Sequence, residues 1–280
     1  MLAPLTLKAK HDLRKLIAEE PSWKKPISDE QRSIWIANFK MIEEVRDILY
    51  VRCSIPEDAV SCHPRLLLLC DAADPGIMIA VYISFERKNG TWTCDLLVGK
   101  GLLAPENLKL PDKELQALSG AADIMAILKR CLKDWGCLFL AFSDSEIAIC
   151  WTIYEKSKLT TFVRNRVINI RMKMGTEILH HVSGEFNPCD VGTRPEKISA
   201  DSVRPGSIWM SGHNWMNGSV EDARALGIVK TVEDIRLTNE SKKKFKDGIS
   251  YDTFSQDDEA FAIVQLNTID AKKMFRRQEF

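Results

Sequence analysis

The sequence predicts an α/β domain, a mixed five-stranded sheet with helices on both faces and a helical N-terminal accessory segment. Two apolar runs of strand length, Arg65–Cys70 and Cys137–Ser143, each end in an aspartate. Further strand-like runs meet at an Asn-Gly pair, and segments of helical period lie between and after them. Asp71 and Asp144 thus close buried strands, at the edge where open α/β sheets usually bind ligands.

Residues 1–60 read as helical. Ser28-Asp29-Glu30-Gln31 is a capping box, and Trp35, Phe39, Ile42, Val45 and Leu49 recur behind it as one apolar stripe. Such a stripe needs a partner surface, so this segment is not expected to fold alone. Residues 61–195 carry the α/β pattern: a strand at 65–70, a turn at Asp74-Pro75-Gly76, a strand at 77–85, a hairpin at Lys88-Asn89-Gly90 and a strand at 91–98. Pro111 opens a helix to about residue 133, with Leu115, Leu118, Ala122, Met125, Leu128 and Leu132 on its inner face. A strand at 137–142, helices near 145–155 and 158–173, a strand at 177–182 and a short helix at 188–194 complete the domain. Trp92, Trp135 and Trp151 are expected in the core. Residues 196–280 are charge-rich and read as a linker or tail holding Trp209 and Trp215, which could pin it to the domain or meet a partner.

Composition narrows the class. Lys+Arg and Asp+Glu are equal at 39 each, so any nucleic-acid surface must be local. The eight cysteines contain no C-x-x-C pair and lie mostly in apolar runs, which suits free thiols in a reducing intracellular setting. No secretory pattern opens the chain, and no apolar run approaches the roughly 18 residues of a membrane span.

Four acids carry the chemical signal: Asp71, Glu114, Asp144 and Asp190, in the order strand end, helix start, strand end, late helix. Phosphodiester hydrolysis with two ions about 3.5–4 Å apart needs such converging carboxylates, whose oxygens suit Mg²⁺ or Mn²⁺. Without ions, two carboxylates at about 4 Å repel by roughly 4 kcal/mol at an effective dielectric of about 20, so raised pKa values are expected. Each acid also has a plain structural reading. Asp71 and Asp144 can be turn or N-cap residues, and Glu114 a first-turn Glu favoured by the helix dipole.

At these residues the chain resembles the ribonuclease H region of Bel/Pao-type LTR retrotransposon polyproteins. The motifs are Asp71-Ala72, Leu110-Pro111-Asp112-Lys113-Glu114-Leu115, Ser143-Asp144-Ser145, Phe162-Val163-Arg164-Asn165-Arg166-Val167, and the segment from His181-Val182 through Asn187-Pro188-Cys189-Asp190 to Arg194. Leu2–Lys10 and Trp23-Lys24-Lys25-Pro26 resemble the tail of the preceding reverse transcriptase, and Trp209–Trp215 a Trp-rich closing motif. The resemblance implies a ribonuclease H-like fold and cleavage of the RNA strand of RNA/DNA hybrids. It also implies Asp71, Glu114, Asp144 and Asp190 as catalytic residues and ligands of two Mg²⁺ or Mn²⁺ ions. Reverse transcriptase and integrase parts of the same polyprotein are implied partners, and a virus-like particle in the cytoplasm, or the nucleus, the implied location. There are departures. Ala73 replaces a small hydroxyl residue, and the loop before Asp190 lacks the His that many cellular ribonucleases H place there. His181 suits a packed or substrate-side residue better than a general base.

For the hybrid, Ala72 and Ser145 lie beside the metal site and could read 2′-hydroxyls, while Lys100, Arg164, Arg166 and Arg171 could meet phosphates. A basic helix face is as often merely solvated. The runs Lys242–Lys244 and Lys272–Arg277 suit tail charges. A catalytically weak or inactive nucleic-acid-binding module, kept as a scaffold, is the rival reading. An integrase needs a further acid on a late helix, and an aspartic peptidase needs Asp-Thr/Ser-Gly, which is absent.

Overall fold

The run that begins at Arg65 forms the centre of the sheet and continues two residues beyond Cys70. Strand β1 spans Arg65–Ala72 and is buried along its whole length, so Asp71 lies inside the strand rather than after it. The computed structural model describes residues 1–20, 22, 24–50, 54–154 and 159–237. Trp23 and the two late basic runs lie outside the described residues.

Helices α1 (Ala3–Glu19) and α2 (Asp29–Glu44) precede the sheet. Ser28 caps α2 by accepting from the Gln31 amide, as its position suggests. The expected apolar stripe does not face inward as a unit. Asn38, Met41 and Val45 are buried, whereas Phe39, Ile42 and Leu49 are exposed. Helix α1 provides the main seat instead, burying Ala3, Leu5 and Leu7 against the sheet. Glycines make that seat possible: a Cβ at Gly76 would fall 2.6 Å from a Leu7 methyl, and one at Gly101 3.0 Å from the Ala3 carbonyl.

Strands β2 (Gly76–Ser84) and β3 (Asp95–Leu103) pair antiparallel in sequence with β1. β3 starts four residues later than the periodicity suggests, because residues 91–94 are spent on the hairpin. After α3 (Leu110–Cys131), strand β4 (Leu138–Ser143) lies parallel to β1. Helices α4 (Glu146–Ile153) and α5 (Thr161–Lys173) lead to β5 (Leu179–Val182), parallel to β4. Helices α6 (Asp190–Thr193), α7 (Ile208–Ser211) and α8 (Val220–Ala225) then precede β6 (Val229–Thr231) and α9 (Val232–Leu237).

The sheet order is β3-β2-β1-β4-β5-β6, so six strands replace the expected five. The sixth comes from the segment expected to be a tail. It pairs antiparallel with β5 through Val182↔Val229, and its three residues are too short to announce a strand by alternation. Residues 196–237 are accordingly packed. Trp209 is fully buried, its indole N–H donates to the Met1 carbonyl at 2.7 Å, and Tyr82 donates to the Trp209 carbonyl at 2.9 Å. A Cβ on Gly99 would stand 2.5 Å from that indole, so a strand glycine makes room for the ring. Buried Arg65 ties the same segment to β1 by donating to the carbonyls of Met216 and Gly218, with its guanidinium over Trp92.

Alternation along β1 splits the core. Leu66, Leu68, Cys70 and Ala72 face α3, α4, α5 and α9, whereas Leu67 and Leu69 face α1 and the segments after β5. Asp71 shares the latter face. Trp151 is buried, and Trp92 and Trp135 are half-buried. The described cysteines are free thiols, and no described helix is long and apolar enough to cross a membrane.

Candidate active site

Parallel pairing of β1 with β4 sets Cys70 beside Ser143, which brings Asp71 and Asp144 to the same end of neighbouring strands. Glu114, the fifth residue of α3 and so one step past its first turn, reaches that end from one face, and Asp190, opening α6, from the other. The four acids act on one another electrically. Burial, then the charges of Asp71 and Glu114, push the Asp144 carboxyl up to about 7. Burial also raises Asp71, against the hydrogen bond from Thr193 and with the Asp190 charge adding to the rise. Glu114 is raised by burial and by Asp71, against a hydrogen bond from Ser145. The sequence-expected acids are thus gathered at one place, and the expected upward shifts occur in three of them.

Each carboxyl has a donor from the chain. Thr193 Oγ1 donates to Asp71 Oδ2 at 2.5 Å, and Ser145 Oγ donates to Glu114 Oε2 at 2.5 Å. Arg194 donates to Asp190 Oδ1 at 2.7 Å, and buried Asn187 bonds to Asp144 and donates to the Cys70 carbonyl at 2.9 Å. Among the described residues no three ligating side chains are already drawn together closely enough to hold an ion. Each carboxyl is instead bonded to its own donor from the chain. The donor set is all carboxylate oxygen, which fits a hard divalent cation, and such a cation would relieve the raised pKa values.

The other sequence-expected contacts divide. Ala72 ends β1 and is buried, and Ser145 is committed to Glu114 and to capping α4. Lys100 lies on β3, half-buried, with Asp123 and Lys10 as its charged neighbours. Arg171 is turned inward, donating to the carbonyls of Thr152 and Tyr154. Arg166 lies over its own helix, 3.3 Å from the Phe162 ring centre and bonded to the Phe162 carbonyl. Only the Arg164 guanidinium of this helical trio stays exposed, with a long 3.5 Å bond to Leu159. A shared basic face on α5 is therefore not what the side chains form: two of its arginines are used by the backbone nearby.

His181 stands close to the acids, its Nε2 3.2 Å from the Asp144 carbonyl. His213, which sequence reasoning did not single out, is within the field of Asp190 and meets Phe186 edge-on. Thr193 and Asn187 were missed as well. Their one signal is spacing from Asp190, and it is mute until the strand register shows which face Asp71 takes.

The model of the Pao retrotransposon-like RNaseH-like domain matches residues 1–145, a span that includes Asp71, Glu114 and Asp144. No curated protein matches the chain. Among solved structures, RNase H1 from the halophilic archaeon Halobacterium salinarum aligns over 47% of this chain and 97% of its own, at 13% identity and a TM-score of 0.31. The family match covers more than half of the 280 residues, and the chain belongs to the Pao retrotransposon-like RNaseH-like domains.

Proposed function

We propose that the protein is a divalent-metal-dependent endonuclease that hydrolyses the RNA strand of RNA/DNA hybrids. The observation that carries the reading is the convergence of four acids, from two parallel strand ends and two helices, with the carboxyls of Asp71, Glu114 and Asp144 raised by burial and by neighbouring charge. Asp71, Glu114, Asp144 and Asp190 would hold the metal. Two Mg²⁺ or Mn²⁺ ions there would supply activation of water and stabilisation of the leaving oxygen.

The chain's own groups prepare that chemistry. Asp71 lies on the α6 face of β1, where Thr193 bonds its carboxyl and the charge of Asp190 acts on it. Ser145, Thr193, Asn187 and Arg194 hold the carboxyls in fixed rotamers, which lowers the reorganisation needed when ions arrive. The backbone around Ala72 and Ser145 lies beside the acids, where it can read the 2′-hydroxyls of the RNA strand. As a domain of retrotransposon type, the protein would work beside reverse transcriptase and integrase parts of a polyprotein.

The rival reading is a module that binds hybrid without cutting it. Incubating the protein with a labelled hybrid separates the two. Cleavage that needs Mg²⁺ or Mn²⁺ and disappears in Asp144→Asn supports the nuclease. Tight binding with no scission in either metal supports the rival.

A further inference from the structure

Three groups of the α6 turn grip the site at once. Gly192 packs on β2, where a Cβ would fall 2.1 Å from Met78 Cε and 2.9 Å from Met78 Cγ. Met78 is the residue paired with Asp71 across the β1–β2 ladder, so Gly192 sets the height of the turn directly beside Asp71. Thr193, 2% exposed, then delivers its hydroxyl to Asp71 Oδ2 at 2.5 Å. Arg194 reaches back to Asp190 Oδ1 through both Nε and a terminal nitrogen.

A threonine in a helix commonly bonds its hydroxyl back to a carbonyl of the preceding turn, and Thr193 has such a contact, to the Asp190 carbonyl at 3.3 Å. The bond to Asp71 is far shorter and has a carboxyl acceptor. A hydroxyl bonded to an ionised carboxylate is among the stronger kinds of protein hydrogen bond. Its placement is also specific: a side chain at 192 would have to displace Met78 for the turn to come this close to the strand.

We infer that Thr193 is a positioning residue for the metal site, fixing the Asp71 carboxyl so that it and Asp190, held by Arg194 on the same turn, present their oxygens to an ion together. The inference rests on the nuclease reading above. It assigns α6 two tasks, supplying one ligand and orienting another on a different element. The short turn Asp190-Val191-Gly192-Thr193-Arg194 then carries a ligand, a spacer and two clamps.

The test compares Thr193→Val, which keeps the shape and removes the donor, with Thr193→Ser, which keeps the donor. Thermal melting of each variant establishes that it is folded, and Thr193→Ala serves if the valine variant is not. Binding of Mn²⁺ and of Mg²⁺ is measured by calorimetry, and hybrid cleavage is measured as kcat and KM. Removing an outer-shell partner of a metal ligand typically weakens metal affinity by about 10–100-fold. We expect that loss in Thr193→Val, a fall in kcat with KM for the hybrid unchanged, and recovery in Thr193→Ser. Wild-type metal affinity and kcat in Thr193→Val, or a serine variant as weak as the valine variant, overturns the positioning role alone. A wild-type protein that neither binds divalent metal nor cuts hybrid overturns the nuclease reading, and the positioning role with it.

Discussion

The Ser145 hydroxyl links Glu114 to the end of β4. It donates to Glu114 Oε2 at 2.5 Å while accepting the Ala148 amide at 3.1 Å as the N-cap of α4. One oxygen therefore ties the N-terminal part of α3 to the residue after Asp144. The chain joins these places through the whole of α3 and β4, so the bond fixes the separation of two acids that sequence distance leaves free.

Ser145→Ala should cost stability and chemistry together. Losing an N-cap typically destabilises by about 0.5–2 kcal/mol, which denaturant unfolding will show. Glu114 loses its donor in the same change, so metal affinity should also fall. A variant destabilised by the cap loss but with wild-type metal affinity would separate Ser145 from the site.

The raised carboxyl of Asp144 gives a pH signature in metal-free protein. Its ordinary value is 3.8 and its folded value about 7, so between those limits the folded state keeps a proton that the unfolded chain has lost. Stability in a chelator should therefore fall as pH rises from about 4 to about 7 and level off above. Asp144→Asn should flatten that fall and raise the melting temperature near pH 7.5, by about 2–4 °C for each kcal/mol relieved. Differential scanning calorimetry at several pH values checks both. An unchanged slope in the variant would count against Asp144 as its source.

Arg171 should matter to folding rather than to the hybrid. Its guanidinium is bonded to the Thr152 and Tyr154 carbonyls, closing the end of α4. Arg171→Gln should lower the melting temperature and leave hybrid affinity and its salt dependence as they are. A reduced salt slope would instead give Arg171 a phosphate contact.

The closing tryptophan makes a sharper claim about stability. Trp209 is fully buried over Gly99, and its hydrogen bonds join Met1, just before α1, to Tyr82 of β2. Trp209→Ala should cost about 3–5 kcal/mol, the usual range for a large buried ring. A loss below 1 kcal/mol would return residues 196–237 to the status of a tail.

Much of this architecture is legible before any coordinates. Continuous apolar runs announce β1, buried along its whole length, and β4, buried over its second half, and the Asn-Gly turn places the hairpin. The acids at Asp71 and Asp144 follow from the ends of those runs. Three kinds of feature escape the pattern. β6 is three residues long and gains its place only by pairing with β5. The stripe of α2 has the right period, yet α1 takes the seat on the sheet, so Phe39 and Ile42 stay outside. The donors to Asp71, Glu114 and Asp144 come from residues distant in sequence, as Thr193 to Asp71 does, and depend on which face a strand residue takes. Basic residues on α5 fail differently: charge suggests a surface, but the nearby backbone carbonyls claim Arg166 and Arg171.

Strand-resolved hydrolysis tests the account most directly. A hybrid duplex labelled separately on its RNA and its DNA strand is incubated with the protein in Mg²⁺, in Mn²⁺ and in chelator, beside RNA and DNA duplex controls and the Asp71→Asn variant. The account predicts internal cuts in the RNA strand of the hybrid alone, dependent on metal and lost in the variant. An intact RNA strand in both metals, or cutting that persists in chelator or in Asp71→Asn, would contradict it.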